Sequence, residues 1–250
     1  LFDTLVLLQK QEYEKAKTEL LFVSKTVKDK YILWEQLLLV HNQLLDFEGM
    51  YATSKEAMEY FPNQSVLYLF NGIAANQIKK YDEAIESLKF GEKLVTSTDP
   101  QKIQFYIYLG EALYNIDKSK EAFTYFDKIL ELEPDNIMIL NNYGYYLSEL
   151  EQDLDKAKQM SFKTIEAEPD NATYLDTYAW ILYKMKDYEN AKYYIEKALQ
   201  NGGITNSTLL DHYGDILYKL GTIKEAKEAW NRAYELSNDA KILEKINNLK

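Results

Sequence analysis

The stretch from Ile103 to Asn136, IQFYIYLGEALYNIDKSKEAFTYFDKILELEPDN, decides the fold. Apolar or small residues fall at Tyr106, Leu109, Gly110 and Leu113. After a polar break at Asp117 to Ser119 they recur at Ala122, Phe126 and Ile129. Both halves carry the i, i+3, i+4, i+7 spacing of an amphipathic helix, which predicts two helices of about 14 residues, each ~21 Å long. Pro134-Asp135-Asn136 closes the second, because proline cannot continue a helix and Asp or Asn caps the next one. The stretch is a helical hairpin.

The same hairpin returns along the chain. Gly72, Gly110, Gly144, Ala179 and Gly214 share one helical phase at spacings of 38, 34, 35 and 35 residues, and Ala84, Ala122, Ala157, Ala191 and Ala226 follow at 38, 35, 34 and 35. All four prolines, Pro62, Pro100, Pro134 and Pro169, fall between repeats. Periods of this length mean a solenoid. A glycine inside a helix costs about 0.5–1 kcal/mol against alanine, so four at one phase need compensation, and close approach of two helices supplies it.

These residues resemble the tetratricopeptide repeat. One unit reads Tyr106, Leu109, Gly110, Leu113, Ala122, Phe126 and Pro134, and another reads Leu210, Tyr213, Gly214, Leu217, Gly221, Ala226, Trp230 and Ala233. The resemblance implies an all-α, right-handed superhelical solenoid of stacked antiparallel hairpins. It covers 1–250 as a single solenoid, with complete repeats at 31–64, 65–102, 103–136, 137–171, 172–206 and 207–238. Residues 1–29 read as a partial repeat. The repeat at 65–102 is four residues long for the family, which predicts an extended second helix or turn. That at 31–64 puts Leu38 and Met50 at the small positions, which predicts wider packing. Ile242, Leu243, Ile246 and Leu249 form one apolar face over 239–249, expected as a capping helix for the last repeat. The chain starts Leu1-Phe2-Asp3, and Leu5 to Leu8 is too short and lacks the basic flank of a signal peptide; upstream sequence is expected.

Composition narrows the function. A net charge of −11, and a single arginine, Arg232, among 29 basic residues, disfavour a nucleic-acid or phosphate partner. Absence of cysteine excludes disulfides and thiolate chemistry. No apolar run reaches the length of a membrane span. The two histidines, His41 and His212, are far apart, and neither an HExxH nor a phosphate-loop pattern occurs, so neither an enzyme nor a metal or cofactor is expected. Asn63-Gln64-Ser65, Asn171-Ala172-Thr173 and Asn206-Ser207-Thr208 match the glycosylation triplet but sit where helices are capped.

The family resemblance implies that the free face of each first helix lines a concave groove. Carried over, that face holds Asn42, Asn76, Tyr108, Tyr114, Asn115, Asn141, Asn142 and Tyr145, then Asp176, Trp180, Tyr183, Lys184, Asp211, His212, Asp215, Tyr218 and Lys219. An Asn amide both donates to and accepts from a peptide backbone, and Tyr and Trp bury area with few torsions to freeze. A solvated or self-packed surface is the alternative, and Tyr143, Tyr178 and Tyr213 are at a core-facing phase. Asp176, Asp211 and Asp215 are expected to cluster, open to a basic segment or neutralised by Lys184 and Lys219. Relatives that grip a terminal carboxylate use Lys and Asn one turn apart. Here the pairs are Glu35/Leu39, Leu69/Ile73, Ile107/Glu111 and Asn141/Tyr145, so such a ligand is disfavoured. The reading is a non-catalytic scaffold for a peptide or protein segment, with glycan or small-ligand capture as the alternative. Oligomeric state stays open. The run from Asn142 to Trp180 looks like paired repeats of bacterial envelope-associated members, which points to an adaptor in a periplasm-facing assembly, with the cytoplasm as the other option.

Overall fold

The computed structural model describes residues 10–96 and 99–249. The start of the partial repeat expected over 1–29 therefore lies outside the described residues. Among those described, fourteen α-helices follow one another: α1 Tyr13–Ser24, α2 Tyr31–Gln43, α3 Phe47–Tyr60, α4 Ser65–Gln77, α5 Tyr81–Leu94, α6 Gln101–Asn115, α7 Ser119–Leu132, α8 Ile137–Glu149, α9 Leu154–Ala167, α10 Ala172–Lys184, α11 Tyr188–Gln200, α12 Ser207–Lys219, α13 Ile223–Ser237 and α14 Ala240–Asn247. Six sequential hairpins result, α2/α3 through α12/α13, as the repeat pattern predicts. They fall into two compact units, 1–132 and 133–250.

Three of the six hairpins are locked by one small residue and a large one sixteen positions later. A Cβ on Gly72 would stand 2.3 Å from Leu88, one on Gly110 2.3 Å from Phe126, and one on Gly214 2.4 Å from Trp230. Gly144 is an exception: its nearest obstacle is the Ala157 carbonyl oxygen at 3.2 Å, and Met160 takes the large position. In the first hairpin the close approach shifts to the second helix, since a Cβ on Gly49 would meet Cε1 of His41 at 2.4 Å. With Leu38 and Met50 both buried, α2/α3 is the loosest of the six hairpins, as expected for that repeat.

The turns inside the hairpins share a geometry that the sequence hides. Seven residues after each small position the backbone turns left-handed, at Leu45 (φ 54°), Lys79 (62°), Asp117 (61°), Glu151 (50°), Lys186 (66°) and Gly221 (80°). The next amide then reaches back to the first helix, as in Asp46 N–H to His41 O at 2.9 Å, Lys118 N–H to Leu113 O at 2.9 Å and Thr222 N–H to Leu217 O at 3.0 Å. This bond satisfies a carbonyl that a helix end would otherwise leave open.

Between hairpins, side chains start the next helix. Asn136 accepts from Ile139 N–H, Asn171 from Thr173 and Tyr174 N–H, and Asn206 from Thr208 and Leu209 N–H. Asn171 and Asn206 thus act as caps, whereas Asn63 does not: Gln64 precedes α4 and its side chain makes no cap bond. The extra length of the 65–102 repeat is not in α5, which has 14 residues like α3, α7 and α9. It divides between the connector after Leu94, which has six positions against four after α3, α7 and α9, and the start of α6, whose first two residues, Gln101 and Lys102, fall within this repeat.

In unit 1 one core joins α1 to α2 through Ala16, Leu20, Leu33 and Leu37. Another runs from Trp34 and Met50 to Phe105 and Leu109. In unit 2 one core packs Leu175, Tyr178, Ala191 and Ile195, and a second packs Leu210, Leu217, Ala226, Trp230 and Ile242. Ile242 anchors α14, with Ile246 and Leu249 partly buried beside it, while Leu243 turns outward at 37% exposed, against the single apolar face expected. No helix among the described residues is long and apolar enough to cross a membrane.

Candidate functional site

In unit 1 the expected groove residues largely serve the fold. Asn76 is buried and its amide donates to the Tyr108 carbonyl at 3.0 Å, which ties α4 to α6. Asn115 donates to the Glu111 carbonyl of its own helix at 2.9 Å. Tyr108, Tyr114 and Asn42 are half-buried. Burial raises the Tyr108 pKa, aided by the Glu111 charge, and burial also raises that of Glu111 itself.

A second cluster in unit 1 looks like a hydrolytic relay. Asp46 Oδ2 is 2.9 Å from His41 Nδ1, and His41 Nε2 is 3.1 Å from Thr53 Oγ1. The order matches an acid, base and hydroxyl triad. His41 is 2% and Thr53 7% exposed, however, and Asp46 also caps α3 through Gly49 N–H at 3.0 Å. Solvent and substrate do not reach the hydroxyl; the network fixes the α2/α3 turn.

Unit 2 corrects the expected groove in three places. Trp180 is core, 8% exposed, stacked between His212 (ring centroids 3.9 Å apart) and Tyr183 (4.6 Å), with Nε1 donating to Glu149 at 2.7 Å. His212 is also buried, its Nδ1 2.8 Å from Asp176. The three carboxylates do not form one open patch, because Asp176 pairs with His212 while Asp211 and Asp215 both bind Lys245 of α14 at 2.8 Å. Lys184 neutralises Glu149 at 3.4 Å rather than an Asp. Stacking brings each pair together: Asp176 meets a base 36 residues on, and Asp211 meets one 34 residues on, so α14 takes the place of a next first helix.

Electrostatics follow from that pairing. Burial opposes charge on His212, but Asp176, then Asp211 and Asp215, outweigh it and raise its pKa. Burial likewise raises the Asp215 pKa against the pull of Lys245. Tyr183, half-buried near Asp215, Tyr188 and Asp211, is pushed up to about 12, mainly by burial. Tyr143 and Tyr178 are core, whereas Tyr213, expected with them, is half-buried, its hydroxyl donating to Glu196 at 3.0 Å.

Other expected residues remain reachable. Asn142, Tyr145 and Tyr183 are half-buried and Tyr218 is 46% exposed. A cleft of about 320 Å³ crosses α8, α10 and α12, lined by Asn141, Asn142, Tyr145, Asp176 and His212 together with Thr173, Thr177, Asn206 and Thr208. The hydroxyls and Asn206 escaped the sequence reading because most belong to the helix starts, where they read as caps. Lys245 escaped because α14 lies outside the repeats. No group of His, Cys, Asp and Glu among the described residues has the arrangement of a metal site.

Comparison with known proteins bears on this site. Residues 103–136, 172–201 and 208–239 match one tetratricopeptide repeat model, and 125–159 match another. The small glutamine-rich tetratricopeptide repeat-containing protein 2 of Saccharomyces cerevisiae is 30% identical over 115 residues, 45% of this chain and 32% of that protein. The chain thus spans about a third of the length of that relative. A tetratricopeptide repeat protein from Parabacteroides merdae has a similar fold, at a TM-score of 0.78 and 13% identity over 98% of this chain and 94% of that one. PilW, a type IV pilus biogenesis factor, gives 0.73 and 17% over 87% and 98%.

Proposed function

The chain carries tetratricopeptide repeats between residues 103 and 239, and on that premise we propose that it is a non-catalytic scaffold that holds a peptide or protein segment against the first helices of unit 2. Proteins built of these repeats generally serve as protein–protein interaction scaffolds. The observation that carries the finer reading is the cleft across α8, α10 and α12, where Asn142, Tyr145 and Tyr146 are half-buried and Thr173, Asn206 and Thr208 are exposed. Its walls supply amides, hydroxyls and aromatic faces, which suit a peptide main chain. They offer neither an activated nucleophile nor an unpaired acid and base. An adaptor role in a bacterial envelope assembly rests on the paired arrangement from Asn142 to Trp180.

Site-specific photocrosslinking tests the location. A crosslinker at Tyr145 is expected to capture a protein partner that one at Tyr193, which is 63% exposed on α11, does not. Equal capture at both positions would move binding off the first-helix face.

A further inference from the structure

We infer that the first-helix face of unit 1 binds a partner segment that presents two apolar side chains and a basic one in a row, with the Glu111 carboxylate taking the cation. This goes beyond the proposed binding of a segment by unit 2, since every residue in it belongs to unit 1. Glu111 is half-buried on α6, yet its side chain has no hydrogen bond or ion pair among the described residues. Burial alone raises its pKa, with no lysine, arginine or histidine placed to lower it. Asp215, which burial also raises, has Lys245 to hold it.

Taking a carboxylate out of water without a counter-charge is costly. The Glu111 oxygens are not sealed off, because the fully shielded side-chain atoms without a partner are Gln36 Oε1, Asn76 Oδ1, Asn141 Oδ1 and Ser161 Oγ. A cation carried by a ligand therefore has a way to them. Tyr108, three positions earlier, shares the face and is near enough for the Glu111 charge to raise its pKa. A basic side chain seated on the carboxylate meets this half-buried ring as well, which adds cation–π attraction.

The row that leads up to Glu111 sets the rest of the ligand. Glu111 directly follows Gly110, and at the same place in the two preceding first helices stand Ile73, after Gly72, and Leu39, after Leu38. Ile73 is half-buried and Leu39 is 48% exposed, and α2, α4 and α6 pack side by side. The row is thus apolar for two repeats and acidic in the third. Packed helices stand about 8–10 Å apart and an extended chain advances about 3.3 Å per residue, so one repeat corresponds to about three residues of ligand. Two apolar side chains three residues apart, with Lys or Arg three further on, fit Leu39, Ile73 and Glu111 in turn.

Binding of the full chain to acetylated, amidated decapeptides tests this by fluorescence anisotropy. Each peptide carries leucines three residues apart and, three further on in either chain direction, Arg, Lys, Gln or Glu. The Arg and Lys peptides are expected to bind about tenfold tighter than the Gln and Glu ones, or more. Glu111→Gln is expected to abolish that preference and to raise the thermal midpoint at neutral pH, because an acid whose folded pKa is raised destabilises the fold once ionised, so lost binding is not mistaken for lost folding. Glu131→Gln, at an exposed site on α7, changes the net charge equally and keeps the preference. Equal binding of all the peptides, binding of none, a preference that survives Glu111→Gln, or one lost equally in Glu131→Gln overturns the inference. The reading of unit 2 is tested by the crosslinker at Tyr145, so the two fail separately.

Discussion

A Cβ placed on Gly110 would stand 2.3 Å from Cε1 of Phe126, so the glycine at the first-helix small position is the space into which the second helix pushes its ring. Gly110→Leu is therefore expected to overpack the α6/α7 contact and cost about 1–3 kcal/mol, read as a fall in the urea midpoint. Gly110→Ala paired with Phe126→Leu restores part of the loss if the two residues share one volume. An unchanged midpoint for Gly110→Leu would contradict the lock.

The left-handed turn residues make a second, opposite prediction. Outside glycine this conformation costs about 1–2 kcal/mol, less for Asp, whose side chain can bond locally. Leu45→Gly, Lys79→Gly and Lys186→Gly should each stabilise by about 0.5–1 kcal/mol, and Asp117→Gly by less. Leu45, 70% exposed, loses little packing in the exchange. Denaturant titration of the four variants checks the order.

The two histidines should report pH with opposite signs. His212 has a raised pKa because Asp176, with Asp211 and Asp215 behind it, outweighs burial. Its contribution to stability is full below about 6.5, the ordinary value, and is lost as pH rises through the folded value. His41 has a lowered pKa because burial, helped by the Lys17 charge, outweighs Asp46. Stability tied to it is full above about 6.5 and lost as pH falls toward the folded value. NMR titration of the two imidazoles should place one above and the other below the free value; a shared midpoint refutes the assignment.

Lys245 holds α14 against the last hairpin by binding Asp211 and Asp215 together. Lys245→Gln leaves those carboxylates facing each other and should cost about 1–2 kcal/mol, discounted for a lysine that is about one-third exposed. Adding Asp215→Asn should recover most of that loss, since Asp215 is the member whose ionisation burial already disfavours. A double-mutant cycle by thermal unfolding gives the coupling, and additive losses would argue against a shared pair.

The hairpins were legible because their locks are spelled in residue size: Gly72, Gly110, Gly144, Ala179 and Gly214 recur at one phase, and a small residue kept at a helical phase makes room for a neighbouring helix. The site was less legible, because phase tells which way a side chain faces but not what the neighbouring repeat puts in front of it. Trp180 and His212 are at outward phases, yet each is covered by the other. Asp176 reads as free until stacking brings up His212, one repeat and one residue further along. Asn76, read as a ligand contact, spends its amide on the Tyr108 backbone. The left-handed turns left no trace in composition, since only Gly221 among the six is a glycine.

The sixteen-residue lock also limits how far a mutation can be felt. Each small residue and its large partner, Gly72 with Leu88 or Gly214 with Trp230, belong to the same hairpin, so the fit between them is settled before any neighbour is added. A change at one member is met first by the other, and only then by the cores that Leu88 and Trp230 share with neighbouring helices. Leucine in one hairpin, phenylalanine in another and tryptophan in a third show the same joint cut to different sizes. Such a chain can be lengthened, shortened or recombined a repeat at a time, with each new piece arriving already fitted to itself.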